Sequence, residues 1–456
     1  MNIKRRTLFK SSIVLAGGLS ISGLAMQAIC NSPFKGNSSY VLDPKRDRIP
    51  QKGEEFNESF VFPDEATGRL TRRLTSYRQF NQKPTYHINS GFSPDNKYLC
   101  FNTWNPEGGS ALVRANIETG DCKVIDSAKP GDDYQFQGQS LYMIPKTNYV
   151  SLGGKKLMLY DIFTSEKTVI LENTDRDSDA YYSAGTGTCD GKYLITAKND
   201  HRFNYRRDKD RIDAYSVLGF SLIKIDIETG EQTEIYRDET CKGGHIISNP
   251  VAPDLIIFHR DFPPKFGHGG DDGKTSRDWI LNIQTGKLTE VRPNNKCKFT
   301  WHANWNYKGD HIYYHGPSGN ESAKEKSEKK GLVYQSPYKG GVGREHFIGV
   351  ANLAGRVVWE KIYPYLYYGH TSSHSQKNVI VVDNLIAYEF ISGIHWQELD
   401  EDGNAMIELL GKHNSTYAPG AQTRHPHCQM SSDGKWISYN SQFDDRSDVY
   451  VLKMKY

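Results

Sequence analysis

Short runs of alternating apolar and polar residues recur along the chain, each introduced by a turn rich in Asp, Gly, Asn or Pro. The clear copies are SPDNKYLCFNTW around Asp95, CDGKYLITAKND around Asp190, APDLIIFHRD around Asp254, YKGDHIYYHG around Gly309, SQKNVIVVDN around Lys377 and SSDGKWISYNS around Asp433. A weaker copy, IPKTNYVSLGG, falls near Lys146. Alternation with a period of two predicts half-buried strands. The mean interval of about 56 residues is that of propeller blades with long loops. A second motif lies between the first: IETGDCKVI from Ile117, IETGEQTEIY from Ile227 and IQTGKLTEVR from Ile283. Each reads as strand, tight Thr-Gly turn, strand, the outer hairpin of a blade. Helical periodicity is scarce. The pattern predicts an all-β, single-domain, seven-bladed β-propeller over residues 61–456, since a β-sandwich would not need so long a repeat. The last strand, DVYVLKMKY, is expected to close the ring by pairing with an N-terminal strand in LTRRLT near Leu70.

The first thirty residues break this pattern. They combine Lys4, Arg5, Arg6 and Lys10 with an apolar middle and small residues toward Cys30. Residues 1–30 therefore read as a signal peptide, and Arg5-Arg6 before Thr7, Leu8 and Phe9 resembles a twin-arginine export signal. The expected destination is the periplasm. The alternative is a leader retained as a membrane anchor, uncleaved or lipidated at Cys30. Residues 31–60 read as a lead-in segment. SGNESAKEKSEKKG from Ser318 reads as a charged solvated loop, and PPKFGHGGDDGKTS from Pro263 as a Gly/Asp loop.

Charge changes the picture once the leader is set aside. The chain has 57 basic and 54 acidic residues, a net +3, and the leader holds four of the basic ones and no acid. The remainder, 53 against 54, is near −1, which carries no electrostatic footprint for nucleic acid. An acidic ligand would have to be met by local basic groups. Six of the seven cysteines lie beyond Cys30 and none forms a CxxC pair, so a zinc knuckle or thioredoxin-type motif is not indicated.

The 15 histidines carry the candidate chemistry. In Gln422-Thr423-Arg424-His425-Pro426-His427, residues two apart on a strand face the same side, so His425 and His427 can address one ion and Gln422 can add an amide oxygen. An HxH pair serves equally well as two hydrogen-bonded histidines. His245 in KGGHIISNP, His302 in FTWHANW, and His370 and His374 in YYGHTSSH each precede a repeat turn by a few residues. Equivalent positions in successive blades converge on the channel mouth. Any one of them alone reads more simply as a structural histidine. Their shared register argues otherwise.

The order of motifs, KGGHIISNP, SRDWILN, FTWHANWNYKGDHIYY, YYGHTSSHSQKNVIVVDN and AQTRHPHCQMSSDGKWISYNS, resembles the oligogalacturonate lyases, seven-bladed polysaccharide lyases. The likeness runs from about residue 65 to the C-terminus, with QxxHPH its most distinctive piece. It implies β-elimination on 4-linked uronate chains with Mn²⁺ as cofactor. The implied metal ligands are His370, Gln422, His425 and His427. The implied catalytic base is His302, and Arg277 assists with substrate charge; His245 and His259, with Arg277, are the substrate-contact candidates. Ala303 departs from the pattern, standing where an acidic residue is expected, and Arg424 and Cys428 flank the HPH motif. Three other readings compete. One is a lyase for another uronate polymer such as ulvan, with His87 and Tyr181 or Tyr182 as candidates. A second is a non-enzymatic scaffold propeller. A propeller-capped serine peptidase lacks its GxSxG elbow.

Overall fold

The computed structural model describes residues 49–454 except 77–80, 84, 89, 106–107, 133–135, 137–140, 175–179, 201–218, 262–275, 294–299, 323–343, 364–368, 386–389, 396–405, 414, 416–424 and 442–446. The described residues form seven antiparallel sheets of four or five strands and no helix. No helix among them is long and apolar enough to cross a membrane. The sheets follow one another along the chain as the seven blades of a propeller. Blade four, for instance, runs Lys242–Ser248, Leu255–Asp261, Asp278–Asn282, Leu288–Glu290. Blade five begins with His302–Trp305 and His311–Ser322, and blade six with Thr371–Ser373 and Val379–Leu385.

Blade seven closes the ring. Gln429–Met430, Trp436–Ser441 and Asp448–Lys453 are joined by the N-terminal strand Leu70–Arg73, with Thr71 opposite Leu452 and Arg73 opposite Tyr450. The expected pairing of DVYVLKMKY with LTRRLT is the one found. A buried Arg72 ties this seam to blade one: its Nη1 reaches Ser59 Oγ at 2.7 Å and its Nη2 the Glu118 carbonyl at 2.7 Å. Behind it Leu99, Phe101, Val113 and Val124 pack on Trp436, Val449 and Val451. Each such side chain taken from water contributes about 1.5–3 kcal/mol.

The repeat turns are built alike because the same side chains satisfy the same backbone groups. In the first motif, Ser93, Thr188 and Ser431 each donate to the Asp two residues on, Asp95, Asp190 and Asp433, at 2.6 Å. In the outer hairpins, Asn116, Asp226 and Asn282 each accept two backbone N–H groups of the turn that follows. Gly120 shows why glycine follows Thr there: its φ is +82°, and a Cβ would collide with Ser59. Blade two makes the same turn from Asp161 with Ser165 at φ 62° in place of glycine, a copy that a Thr-Gly pattern overlooks.

Residues 49–60 of the lead-in lie against the propeller, with Glu55–Phe56 paired to Cys122 and Lys123 at the edge of blade one. The strand of blade five that begins at His311 continues to Ser322, so the first residues of the expected charged loop are strand. The leader, most of that loop and the segment from Pro263 lie outside the described residues.

Candidate functional site

The expected histidines sit where the first strands of their blades begin. His245 lies in Lys242–Ser248, His302 opens its strand, His370 immediately precedes Thr371–Ser373, and His425 and His427 precede Gln429–Met430. The fold gathers them. Ring centroids of His302 and His370 are 4.7 Å apart, those of His370 and His427 4.1 Å, and those of His245 and His302 5.7 Å. His374, just past the end of that strand, instead accepts the Gln376 N–H at 3.0 Å.

Three imidazoles make a candidate metal centre. One nitrogen each from His370, His425 and His427 lie within 4.8 Å of one another, all in buried residues. His370 Nε2 and His427 Nε2 are 3.2 Å apart. His425 and His427 do not share a strand as expected; the chain turns at His427, φ 48°, and the two rings still converge at 5.6 Å. Asp383, fully buried, organises the centre. It accepts the His370 N–H at 2.7 Å and the His427 N–H at 2.9 Å, and its Oδ2 lies 3.1 Å from His370 Nδ1. A carboxylate on Nδ1 places the imidazole proton there and leaves Nε2 as a lone pair, the usual support behind a ligating histidine. The donor set fits a divalent transition metal. Gln422 lies outside the described residues.

A second arrangement occupies blade four. His245 falls in a β-bulge between Gly244 and Ile247 with φ 45°, an unfavourable conformation for a side chain other than glycine that re-aims its ring. Its Nδ1 is 2.7 Å from His259 Nδ1, and His259 Nε2 is 2.9 Å from Asp278 Oδ1, close but off the in-line hydrogen-bond direction. Burial alone would raise the Asp278 pKa; His259 and Arg277 pull it below the usual carboxylate value, so it is ionised. Burial, then His259 and Arg277, hold His245 well below 6.5 and therefore neutral. His259 is buried, with Nδ1 on His245 and Nε2 beside the Asp278 carboxylate, which makes it a support for His245.

In blade five, His302 Nδ1 meets His315 Nε2 at 2.9 Å. His315 faces Ile348 on the next strand, so no carboxylate stands where Asp278 stands in blade four. Burial, then the neighbouring His87 and His370, depress the His302 pKa well below 6.5. Ala303 is buried in the core, and the group that meets His302 Nδ1 is the His315 imidazole, where an acid was expected nearby. Arg277 is buried, pairs with Asp261 at 2.5 Å and donates to the carbonyl of Trp301, so it anchors the backbone just before His302. His87, with Nδ1 2.8 Å from the Thr371 carbonyl, fills the centre, its ring 4.5 Å from His302 and 4.9 Å from His370. Cys428 packs in the apolar core with Val381, Ile437 and Tyr439.

The supporting residues were legible in one signal. His259, His315 and Asp383 each lie five positions after the repeat-turn residues Asp254, Asp310 and Asn378. On the second strand of a blade that position stands opposite the first-strand histidine; His302 and His315 are directly paired.

No family model matches the chain, and no curated protein matches it. Solved structures do. A structure of oligogalacturonate lyase in complex with manganese superposes with a TM-score of 0.66 at 18% identity, covering 89% of this chain and 99% of the other. A crystal structure of oligogalacturonate lyase from Vibrio parahaemolyticus gives 0.64 at 20% identity, with the same coverage. This likeness agrees with the resemblance carried by the histidine motifs. The chain has the seven-bladed propeller fold of the oligogalacturonate lyase structures.

Proposed function

We propose that this protein is a metal-dependent lyase that cleaves 4-linked uronate chains, of the oligogalacturonide type, by β-elimination. The observation that carries the reading is the trio His370, His425 and His427, supported by Asp383 and set beside neutral imidazoles. Mn²⁺ is the proposed ion, on the strength of the manganese bound in the similar lyase. Three imidazoles alone would equally suit zinc, so the amide oxygen of Gln422 matters to the choice. When bound, the ion would neutralise the substrate carboxylate and favour the enolate-like charge that develops next to it.

The residues of the chain supply the rest. His302, neutral and oriented by His315, takes the C5 proton on Nε2. The C5–H electron pair becomes the C4–C5 double bond, the C4–O4 bond breaks, and O4 leaves with its pair and takes a proton from water. Arg277 adds positive potential and fixes the backbone preceding His302. The Arg5-Arg6 leader would export the chain folded and already loaded with metal. A scaffold propeller has no need of convergent, carboxylate-supported histidines.

The test is the ultraviolet absorbance of unsaturated uronate on adding oligogalacturonides, with chelator and with Mn²⁺. A metal-dependent rise that His302→Ala abolishes is expected. A rise on ulvan alone would move the substrate and keep the mechanism. Silence of folded, metal-loaded protein on every uronate polymer would overturn the reading in favour of a binding propeller.

A further inference from the structure

Beside the metal centre, between blades three and four, lies a cavity of about 210 Å³. It is smaller than the roughly 300–1,000 Å³ typical of sites for drug-sized molecules, so it suits one sugar ring. Tyr181 and Asn199 line it from blade three; Lys242, Gly244, His245 and Asp261 line it from blade four.

Three features give this cavity a defined chemistry. The first is a cation. Lys242 has no carboxylate within ion-pair distance among the described residues, and its Nζ lies 5.9 Å from the centre of the Tyr181 ring. Asp261, opposite Lys242 in the strand register, is held by Arg277 through both carboxylate oxygens, at 2.5 and 3.3 Å. Burial works against the charged ammonium, but Tyr181 and Asp261 more than offset it, so Lys242 is protonated.

The second feature is a hydrogen-bond acceptor of fixed sense. The charge of ionised Asp278, 2.9 Å from Nε2, favours the His259 proton on that nitrogen, which leaves His259 Nδ1 as a lone pair. That lone pair accepts from His245 Nδ1–H, so His245 Nε2 is itself a lone pair. Among the described residues the hydrogen bond of the His245 ring is made through Nδ1, and His245 lines the cavity. The third feature is shape. Gly244 has no side chain, and a Cβ there would meet only Asp261 Oδ2 at 3.7 Å, so the wall is recessed. Tyr181 offers an aromatic face. Tyr86 also borders the cavity and spans to the metal centre, its ring 5.3 Å from His245 and 4.6 Å from His427.

We infer that this cavity is a second acidic-sugar subsite, in which Lys242 binds the carboxylate of the uronate ring next to the one cleaved and His245 Nε2 accepts a hydrogen bond from a ring hydroxyl. The identity of the ligand as a uronate rests on the lyase reading; the cation, the acceptor and the recess do not.

The test separates the two. Galacturonate and the neutral sugar galactose are titrated calorimetrically into full-length protein kept metal-free by chelator. The wild type is expected to bind galacturonate more tightly than galactose. Lys242→Met should lose about tenfold for galacturonate and nothing for galactose, and Lys242→Arg should keep most of the affinity. With the metal-loaded protein and trigalacturonate, Lys242→Met should raise KM about tenfold, with the larger share of the effect in KM rather than kcat. Equal galacturonate affinity in wild type and in folded Lys242→Met would overturn the subsite, as would an unchanged KM. Absence of any ultraviolet product from the wild type would overturn the lyase reading, while the metal-free titration still decides the subsite.

Discussion

The histidine cluster has two halves that solve the same problem differently. On the side of blades six and seven, the carboxylate of Asp383 touches a candidate ligand directly and also receives the backbone N–H groups of His370 and His427. On the side of blade four, the carboxylate of Asp278 lies one imidazole further back and reaches His245 only through His259. The first arrangement fixes positions: one side chain locks two strand entries and one ring, as a metal centre requires. The second fixes a proton: the relay decides which nitrogen of His245 presents a lone pair, while the bulge aims the ring into the cavity. Distance of the carboxylate from the working imidazole separates a ligand from a hydrogen-bond acceptor.

The largest expected effect breaks the first half outright. His370→Ala should lose bound metal, measured by elemental analysis. It should lower lyase rate by about 10³-fold or more, because Lewis-acid stabilisation contributes several kcal/mol. Asp383→Asn should come next, with metal affinity lower by about 10- to 100-fold. An amide keeps an acceptor for one N–H but turns a donor toward the other, so thermal stability should fall as well.

Acid should attack the same half. His413 is buried, bonds the Asp383 carbonyl at 2.7 Å, and is pushed by burial to a pKa of about 4, against 6.5 when unfolded. The unfolded chain therefore binds the extra proton first. Stability is fully present above pH 6.5 and declines as pH falls from there toward 4, by about 2 kcal/mol between pH 7 and pH 5. Melting temperatures at these two pH values should differ less in His413→Gln than in the wild type. The smallest effect belongs to the second half. Asp278→Asn should raise KM for acidic oligosaccharides about tenfold, the equivalent of one oriented hydrogen bond. It should leave metal affinity where Asp383→Asn lowers it; a loss of metal in Asp278→Asn would show that the two halves are one unit.

Much of the fold could be read from the turns. Ser93-Pro94-Asp95 and its copies bond their own backbone, so their meaning is local and survives translation from sequence to structure. The candidate site was legible to the extent that its residues share that register, which held for His245, His302 and His370. His87 and Asp383 were harder, because a histidine before an ordinary turn and an aspartate inside an apolar strand carry no local mark of what they face. Arg277 was named for substrate charge, and the structure holds it in an ion pair with Asp261.

The sequence alone determined the seven strand–turn units, the outer hairpins and the N-terminal strand that closes the ring, since alternation and turn chemistry act over a few residues. Tertiary structure alone decided the geometry in which His370, His425 and His427, grouped in the sequence by resemblance, converge, that Asp383 supports them, and that Asp278 reaches His245 through His259. Those relations join positions up to 57 residues apart through the ring's curvature, as between His370 and His427. Their chemistry depends on burial, which lets a single carboxylate fix a neighbouring proton where water would have erased the preference.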